Sequence, residues 1–365
     1  MAFGRFFLPG PTEVRPEILA ALAQPVIGHR GAGMTALLRE ADPRLRALFG
    51  TERPVYVSTS SATGMMEASV RGGVRRHALC LVNGAFSARY RDLVRDCGRQ
   101  AGEYAVAWGE AHDPAEVERR LRAGDHDAVT VVHSETSTGV LNPLPQIGAA
   151  VRAAERATGR EILLLVDGVT SVGGMVVAPE EWGVDCLLTG SQKAMALPPG
   201  LAFATASERL LQRAATLPGR GHYLDLVEFD RHWREHQTPH TPAVHLVFAL
   251  ARQLADVEAE TVSGRAARHH ALRERCCAWA EERGARWGLS LFAPGGFRSP
   301  TVTTLALPAQ WRGPELVAAL KQRGYTVGAG YGRLKDTTIR IGHMGDHTLA
   351  GLDALLATFE EVLDR

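Results

Sequence analysis

Between about residues 76 and 206, short apolar runs alternate with amphipathic stretches, and this alternation constrains the fold more than any other feature. Such a pattern is typical of βαβ units, in which parallel strands are buried between helices. The predicted strands are Ala78–Val82, Tyr104–Ala107, Ala128–His133, Ile162–Val166, Cys186–Thr189 and Leu201–Ala206. The predicted helices are Ser87–Cys97, Pro114–Leu121 and Pro145–Ala157. The sequence therefore predicts an α/β domain with a mainly parallel sheet.

The pattern changes after about residue 215. Residues 215–243 are rich in His, Pro and aromatic side chains and predict a long loop, a feature that is often functional. A helical pattern follows at Val244–Arg283, and then strand, helix, strand and helix at Thr301–Leu307, Pro314–Arg323, Thr338–Ile341 and Thr348–Leu363. Because 365 residues exceed the usual reach of one core, we expect an N-terminal segment over residues 1–15, a large domain over 16–258 and a small α+β domain over 259–365.

Charge and cysteine content exclude several classes of protein. With 41 basic and 40 acidic residues, the chain has no excess charge for nucleic acid or an anionic membrane. The five cysteines include no CxxC spacing, which argues against a disulfide framework or zinc site and favours a reducing compartment. The histidines of residues 222–245 match no common zinc spacing. We expect a cytoplasmic protein without a signal peptide, a membrane helix or a metal site.

Lys193 is the first candidate for chemistry. It follows a predicted apolar strand and precedes Ala194–Gly200, so it does not lie on a solvated helix face. Burial there favours the neutral, nucleophilic amine that Schiff-base formation with an aldehyde cofactor requires. Taken alone, the same lysine could instead extend from the strand end to water.

Asp167 ends the apolar run Leu163–Val166, at the edge of the sheet where ligand crevices form in α/β folds. A buried carboxylate requires a partner. A protonated pyridine nitrogen would provide one and would keep the cofactor ring an electron sink. The alternative is that Asp167 caps the turn at Gly168–Ser171.

The third element is the hydroxyl-rich turn Ser58–Gly64, which precedes a helical pattern from Met65. Free N–H groups and the helix dipole favour a phosphate there, although a serine N-cap without a ligand is the alternative. Together the turn, Asp167 and Lys193 predict one cofactor site.

With these motifs, the chain resembles the class V, fold type I aminotransferases, which use pyridoxal 5'-phosphate, and within them the alanine–glyoxylate and serine–pyruvate (or serine–glyoxylate) group. The matching segments are Leu8–Thr12, Ile27–Arg30, Val82–Phe86, His133–Gly139, Val166–Asp167, Gly190–Lys193, Pro198–Gly200, Thr238–Ala243 and Arg340–Gly345. The resemblance runs nearly from end to end. It implies a large domain whose mainly parallel seven-stranded sheet lies between helices, plus a smaller α+β C-terminal domain.

The resemblance also implies an activity and a partner. The chain would transfer an amino group between a small amino acid, alanine or serine, and a 2-oxo acid, glyoxylate or pyruvate, by a ping-pong mechanism through a Schiff base on Lys193. It would act as a homodimer with shared active sites.

Site residues can be carried over one by one from the resemblance. Lys193 would hold the cofactor and move the substrate's α-proton, and Asp167 would pair with the pyridine nitrogen. The residues implied in binding the phosphate are Ser61, Ala62, Thr63 and Ser191. Val169 and Phe86 would contact the two ring faces, and Gln192 would lie beside the ring. Thr136 would reach the cofactor's phenolic oxygen and the substrate.

The family builds its sites at a dimer interface, so Thr241 would reach the phosphate held by the other subunit. Relatives carry tyrosine at the position of Thr238, histidine at that of Thr63 and tryptophan at that of Phe86. The difference at Thr238 puts the cross-subunit phosphate contact in question. The other two imply altered ring packing without loss of chemistry.

Arg340 falls at the position of the family's substrate-carboxylate arginine, and a planar guanidinium can bind a carboxylate through two parallel hydrogen bonds. Main-chain groups of Pro9 and Gly10 would complete the carboxylate site. A lone arginine in a strand could also be a surface residue. We expect His29 and His343 to be structural.

Three alternative functions of this fold would each require a different sequence feature. A cysteine desulfurase would need a catalytic cysteine in the small domain, yet no cysteine follows Cys277. Another amino donor, such as aspartate, phosphoserine, a phosphonate or ureidoglycine, stays open because the side-chain pocket is not defined by the sequence. A non-catalytic cofactor-binding regulator would need a DNA-reading module, for which no N-terminal domain or basic patch is evident.

Overall fold

The structure, a computed structural model, describes residues 3–364. Its strands are β1 (Phe6–Phe7), β2 (Val55–Ser58), β3 (His77–Val82), β4 (Gln100–Ala105), β5 (Ala128–Val132), β6 (Ser134–Glu135), β7 (Val140–Leu141), β8 (Leu163–Asp167), β9 (Cys186–Gly190), β10 (Ala202–Ala206), β11 (Ser290–Leu291), β12 (Val302–Ala306), β13 (Thr326–Ala329) and β14 (Thr338–Gly342).

Its helices are α1 (Pro16–Ala21), α2 (Ala32–Phe49), α3 (Ala62–Gly73), α4 (Ala85–Asp96), α5 (Pro114–Ala123), α6 (Leu144–Thr158), α7 (Glu208–Thr216), α8 (Leu226–Trp233), α9 (Val244–Glu260), α10 (Val262–Glu282), α11 (Gly313–Gln322) and α12 (Leu349–Leu363).

The larger sheet has seven strands in the order β2-β10-β9-β8-β5-β3-β4. The neighbours from β9 to β4 pair in parallel, and only β10 runs against its neighbours. Strands β5, β8 and β9 are buried along their whole length, which explains why their sequences are almost entirely apolar. The predicted seven-stranded, mainly parallel α/β fold is confirmed.

A second sheet of five strands has the order β1-β13-β14-β12-β11. It forms a separate core with α10, α11 and α12, in which Trp279, Leu316 and Phe359 are buried. The N-terminal segment joins this sheet, since Phe6 and Phe7 pair in parallel with Thr326 and Val327. The presence of two cores is consistent with the predicted division at about residue 259, which stays a prediction. Residues 1, 2 and 365 of the predicted segments lie outside the described part of the chain.

Two elements differ from the sequence prediction at the outer edges of the larger sheet. Strand β4 begins at Gln100 rather than at Tyr104, because it is an edge strand with exposed and charged residues that hide the apolar pattern. Strand β2 was not predicted, because the strand is only four residues long and ends in a serine. The other predicted strands agree with the structure to within two residues at each end.

The predicted loop over residues 215–243 is wrong in part, because α8 lies within it. Asp225 caps this helix by accepting a hydrogen bond from the Val227 N–H at 3.0 Å, and Phe229 and Trp233 are buried beneath it. The helical pattern predicted from Val244 to Arg283 agrees with the structure. It comprises two helices that meet at Thr261, whose φ of 66° breaks the first and whose side chain caps the second.

No helix within residues 3–364 has both the length and the apolar content to cross a membrane. In the same part of the chain, the five cysteines are unpaired.

Candidate active site

A cleft of about 450 Å³ opens at the carboxyl ends of β5, β8 and β9, and its size suits a small ligand. It is lined by Ser61, Ala62, Thr63, Met66, Phe86, Arg89, Val132, Ser134, Thr136, Asp167, Val169, Thr170, Gln192 and Lys193. Nine of the residues predicted from the sequence therefore share one cavity, although they come from distant segments of the chain.

Lys193 lies on a turn that follows β9, and its side chain is buried. Its Nζ donates a hydrogen bond to the Pro9 carbonyl oxygen. The N-terminal segment can approach this closely because residue 10 is glycine, where a Cβ atom would lie 2.4 Å from the Lys193 Nζ. Burial, aided by the positive charge of Arg340, lowers the pKa of Lys193 to about 8. The lowered pKa increases the neutral fraction of the amine near physiological pH, although the charged form still predominates.

Asp167 is the last residue of β8 and is buried. Its Oδ1 accepts a hydrogen bond from the Val169 N–H at 2.8 Å, so it does cap the following turn. In residues 3–364 that is the one hydrogen bond the carboxylate accepts, and burial, reinforced by the negative charge of Glu135, raises the pKa of Asp167 to about 7. The turn-cap role therefore leaves the carboxylate able to bind a cation in the cleft.

The start of α3 also lines the cleft. This helix begins at Ala62, earlier than the predicted start at Met65, and Ser61 occupies the N-cap position. The Ser61 side chain makes no capping hydrogen bond. Ser61, Ala62 and Thr63 line the cleft at a helix start that no side chain caps, an arrangement that suits a phosphate better than a simple serine cap.

Glu135, which the sequence did not single out, anchors the wall that carries Phe86. Its buried carboxylate accepts hydrogen bonds from the Phe86 N–H at 3.2 Å, the Ser87 N–H at 2.9 Å and the Ser137 Oγ at 2.6 Å. It thereby satisfies the free N–H groups at the start of α4. The sequence offered one signal for this role, a glutamate inside the segment His133–Gly139. The role itself depends on contact with α4, which lies about 50 residues earlier in the chain.

Arg340, in the middle of β14, is buried and contacts the cleft residue Thr136 without itself being a lining residue. It donates to the Ala329 carbonyl at 3.0 Å and to the Thr136 carbonyl at 3.2 Å, which rules out the surface-residue alternative. In residues 3–364 no carboxylate lies within salt-bridge distance of it, and burial lowers its pKa to about 10. Thr136 itself lines the cleft, and its Oγ1 lies 2.5 Å from the Thr170 Oγ1.

The structure does not place every predicted residue in the cleft. The Ser191 hydroxyl donates to the Pro198 carbonyl at 2.7 Å and accepts from the Leu201 N–H at 3.2 Å. Ser191 is fully buried and does not line the cavity, so the prediction that its side chain helps to hold a phosphate needs correction. It stabilises the turn that carries Lys193 instead.

Thr238 and Thr241 lie in a separate, smaller pocket together with Ser58, Thr59 and Tyr223. The Thr238 hydroxyl donates to the His240 carbonyl at 2.7 Å, and Thr241 is exposed. Neither residue lines the Lys193 cleft of its own chain. Their reach to a second subunit stays a prediction.

The histidines have local roles in the structure. The His343 Nε2 lies 2.9 Å from the Thr303 Oγ1, and the His240 ring stacks on Tyr223 with 4.6 Å between ring centroids. In residues 3–364, no group of three or more His, Cys, Asp or Glu side chains is positioned to hold a metal ion.

Comparisons with known proteins agree with this geometry. The sequence profile of the family described as Aminotransferase class-V matches residues 19–281. The serine–glyoxylate aminotransferase of Methylorubrum extorquens is 31% identical over 98% of this chain and 90% of its own length. The L-aspartate–glyoxylate aminotransferase of Paracoccus denitrificans is also 31% identical, over the same shares of the two chains. The crystal structure of an alanine–glyoxylate aminotransferase from Nostoc sp. is 30% identical and superimposes with a TM-score of 0.91, covering 100% of this chain and 96% of that one.

Proposed function

The chain belongs to the class V aminotransferases, which depend on pyridoxal phosphate, and from that premise we propose that it transfers an amino group from alanine or serine to glyoxylate or pyruvate. The observation that carries the proposal is that Lys193, Asp167 and the uncapped start of α3 converge on one cleft beside Arg340. When bound, pyridoxal phosphate supplies an aldehyde and a ring that withdraws electrons from the substrate's α-carbon.

Lys193 is the proposed catalytic residue. Its buried amine has a pKa of about 8, so a substantial part of it is neutral under physiological conditions and can act as a nucleophile. The same amine would afterwards accept the proton from the substrate's α-carbon and deliver it to the cofactor's C4′, on the other side of the amino nitrogen. The Pro9 carbonyl, which accepts a hydrogen bond from Nζ, holds the amine in place before the cofactor binds.

Asp167 is proposed to hold the positive charge of the pyridine nitrogen. Its pKa of about 7 in the protein reflects a buried carboxylate that lacks a cationic partner in contact, and a cation would favour the ionised form. Phe86 and Val169 would contact the two faces of the ring, and Gln192 would lie at its side.

The phosphate is proposed to bind at the start of α3, to the N–H groups and side chains of Ser61, Ala62 and Thr63. Thr241 would complete this site from the second subunit. Thr238 is included in that contact because it belongs to the same segment, Thr238–Ala243. The exposure of Thr241 supports this arrangement.

Arg340 is proposed to bind the substrate carboxylate through its guanidinium, with help from the main chain of Pro9 and Gly10 and the hydroxyl of Thr136. Its hydrogen bonds to two carbonyl groups orient the guanidinium and leave its positive charge without a carboxylate partner in contact. Such a buried cation favours an anionic ligand.

The half-reaction tests the proposal. Purified protein loaded with cofactor is mixed with alanine, serine or another amino acid in the absence of an oxo acid, and loss of the cofactor's visible band is followed in rapid-mixing experiments. We expect conversion with alanine and serine, recovery on adding glyoxylate or pyruvate, and none in Lys193→Ala. A protein that binds the cofactor but converts it with no amino acid would be a regulator, and the proposal would be wrong.

A further inference from the structure

Arg89 is a second cation of the cleft, and the proposed reaction gives it no role. It lies on α4 three residues after Phe86, so both side chains emerge from one face of the helix. Its Cζ lies 5.0 Å from the centroid of the Phe86 ring. It lines the same cavity as Lys193 and Asp167.

The hydrogen-bonding capacity of Arg89 is largely unused. It makes one side-chain hydrogen bond, from Nη2 to the Tyr331 hydroxyl at 3.3 Å, although a guanidinium has five N–H donors. Among residues 3–364, no carboxylate lies within salt-bridge distance of it. Its neighbour on the same helix, Arg91, differs, because it pairs with Asp92 at 2.8 Å and with Glu103 at 2.9 Å.

Arg89 and Arg340 share a neighbour. The Tyr331 hydroxyl accepts from Arg89, and the Tyr331 ring centroid lies 5.7 Å from the Arg340 Cζ. The two guanidiniums thus lie near the same aromatic ring, and the positive charges of both lower the pKa of Lys193. The positive charges of Arg89 and Arg340 repel each other, and binding of anions to both would relieve that repulsion. Arg340 has a proposed ligand, and Arg89 has none.

We propose that Arg89 binds a carboxylate on the substrate side chain, so that the site accepts 2-amino and 2-oxo dicarboxylic acids in addition to alanine and serine. This inference rests on the proposed transamination and names a further substrate class for the same site. The substrate would be held at one end by Arg340 and at the other by Arg89. Tyr331 is a positioning residue in this arrangement, since its hydroxyl orients the Arg89 guanidinium.

An anion at Arg89 could come from another source, the cofactor phosphate. Both sources offer oxygen atoms to the same guanidinium, so the experiment must separate them. Loss of a side-chain contact affects only dicarboxylic ligands, whereas loss of a phosphate contact weakens retention of the cofactor and affects all donors alike.

The test compares aspartate with alanine in the cofactor-loaded wild type, Arg89→Gln, Arg89→Lys and the control Arg95→Gln. Arg95 lies on the same helix and its exposed side chain pairs with Asp92 at 3.4 Å, so its variant removes the same charge outside the cleft. We expect Arg89→Gln to lower the ratio of kcat/KM for aspartate to that for alanine by about 10- to 150-fold. Arg89→Lys should retain part of the ratio, and Arg95→Gln should leave the ratio as in the wild type.

A binding measurement without turnover supports the kinetics. Succinate and butyrate, which carry two carboxylates and one, are titrated while the visible spectrum of the bound cofactor is recorded. We expect the wild type to bind succinate more tightly than butyrate, and Arg89→Gln to lose that difference.

Three results would overturn the inference. An unchanged aspartate-to-alanine ratio in Arg89→Gln would show that Arg89 does not contact the substrate side chain. An equal loss for both donors with faster loss of cofactor would assign Arg89 to the phosphate. A wild type that converts alanine or serine but not aspartate would exclude the dicarboxylic substrate and leave the proposed transamination intact, whereas failure with every amino acid would reject the transamination itself.

Discussion

Burial determines the chemistry of the single residues in this cleft. Lys193 and Arg340 lose hydration on being buried, which lowers the pKa of the amine to about 8 and that of the guanidinium to about 10. The same effect raises the pKa of Asp167 to about 7. The charged form of each group is therefore destabilised by the loss of hydration, and a ligand of opposite charge would stabilise it.

The attachment of the cofactor should depend on pH through Lys193. Only the neutral amine reacts with an aldehyde, so the rate at which the apoprotein takes up cofactor should rise with pH and level off above about pH 8. Arg340→Gln removes a charge that lowers this pKa and should move the midpoint upward, whereas Arg340→Lys should not. Stopped-flow absorbance across the pH range measures the midpoint, and an identical midpoint in both variants would contradict the coupling.

Asp167→Asn should affect the apoprotein and the loaded protein in opposite directions. The native carboxyl has a pKa of about 7 against 3.8 for the unfolded chain, so the native state holds more protons between these values and wild-type stability falls as pH rises through them. The uncharged amide of Asp167→Asn does not titrate, so the variant does not lose this free energy of unfolding. Urea unfolding should therefore find the apo variant more stable than the wild type, increasingly so from about pH 4 to about pH 7.

The loaded form provides the contrast for that experiment. There the wild-type carboxylate is expected to pair with the cofactor, so Asp167→Asn should gain less stability than the wild type on adding pyridoxal phosphate. An equal gain in both proteins would mean that Asp167 is only a turn cap.

Arg340→Lys should change substrate selection while preserving the cofactor. Lysine keeps the charge but loses the fork that binds a carboxylate, which corresponds to roughly 1.5–3 kcal/mol and about a 10- to 150-fold lower kcat/KM for alanine. An amine without the carboxylate should be affected much less. If the wild-type preference for alanine over that amine persists in the variant, Arg340 does not bind the carboxylate.

At the scale of elements, α10 fixes the turn that carries Lys193. Arg265, near the start of this helix, donates to the Ala194 carbonyl at 2.7 Å and to the Gly173 carbonyl at 3.1 Å. Its Nη1 also pairs with Asp346 at 2.8 Å, beyond the end of β14. Despite burial, which acts in the opposite direction, Arg265 and Arg15 lower the pKa of Asp346 to about 2. One buried arginine thus connects the lysine turn with the strand of Arg340.

Arg265→Gln should be strongly destabilising. It removes one of the two arginines paired with the buried Asp346, which keeps Arg15 at 2.6 Å, and leaves two buried carbonyl groups without donors. The unsatisfied groups should cost roughly 2–3 kcal/mol in the free energy of unfolding. The matched control is Arg275→Gln on the same helix, whose exposed pair with Asp353 should contribute about 1 kcal/mol or less. Urea unfolding of both apoproteins gives the comparison, and similar losses would contradict the prediction.

At the scale of the whole molecule, we expect a homodimer. Thr241 is exposed and lies outside the cleft of its own chain, and the segment around it forms its own pocket with Tyr223. Sedimentation at assay concentration should give twice the 39.4 kDa mass of one chain. Thr241→Ala should weaken retention of the cofactor without changing the mass, and a fully active monomer would exclude the shared site.

The sequence alone determined where the buried strands of the larger sheet lie along the chain. Strands buried on both faces must be apolar along their length, so they stand out as apolar runs. The sequence also singled out Lys193 and Asp167 as candidates, because Asp167 ends an apolar strand and Lys193 closely follows another, and the structure brings both into one cleft. Helix α8 was not predicted and the start of edge strand β4 was misplaced, because partly exposed elements with polar residues carry a weak periodic signal.

Only the tertiary structure decided which side chains meet. Glu135 anchors the helix of Phe86, Arg265 holds the lysine turn, and Arg89 shares the cleft through contacts between residues far apart in the chain. Ser191 was assigned to a phosphate from its position but turns away to bond the Pro198 carbonyl. Hydrogen-bond partners and burial are properties of neighbours in space, and a linear pattern records only the neighbours along the chain, so these roles required the folded protein.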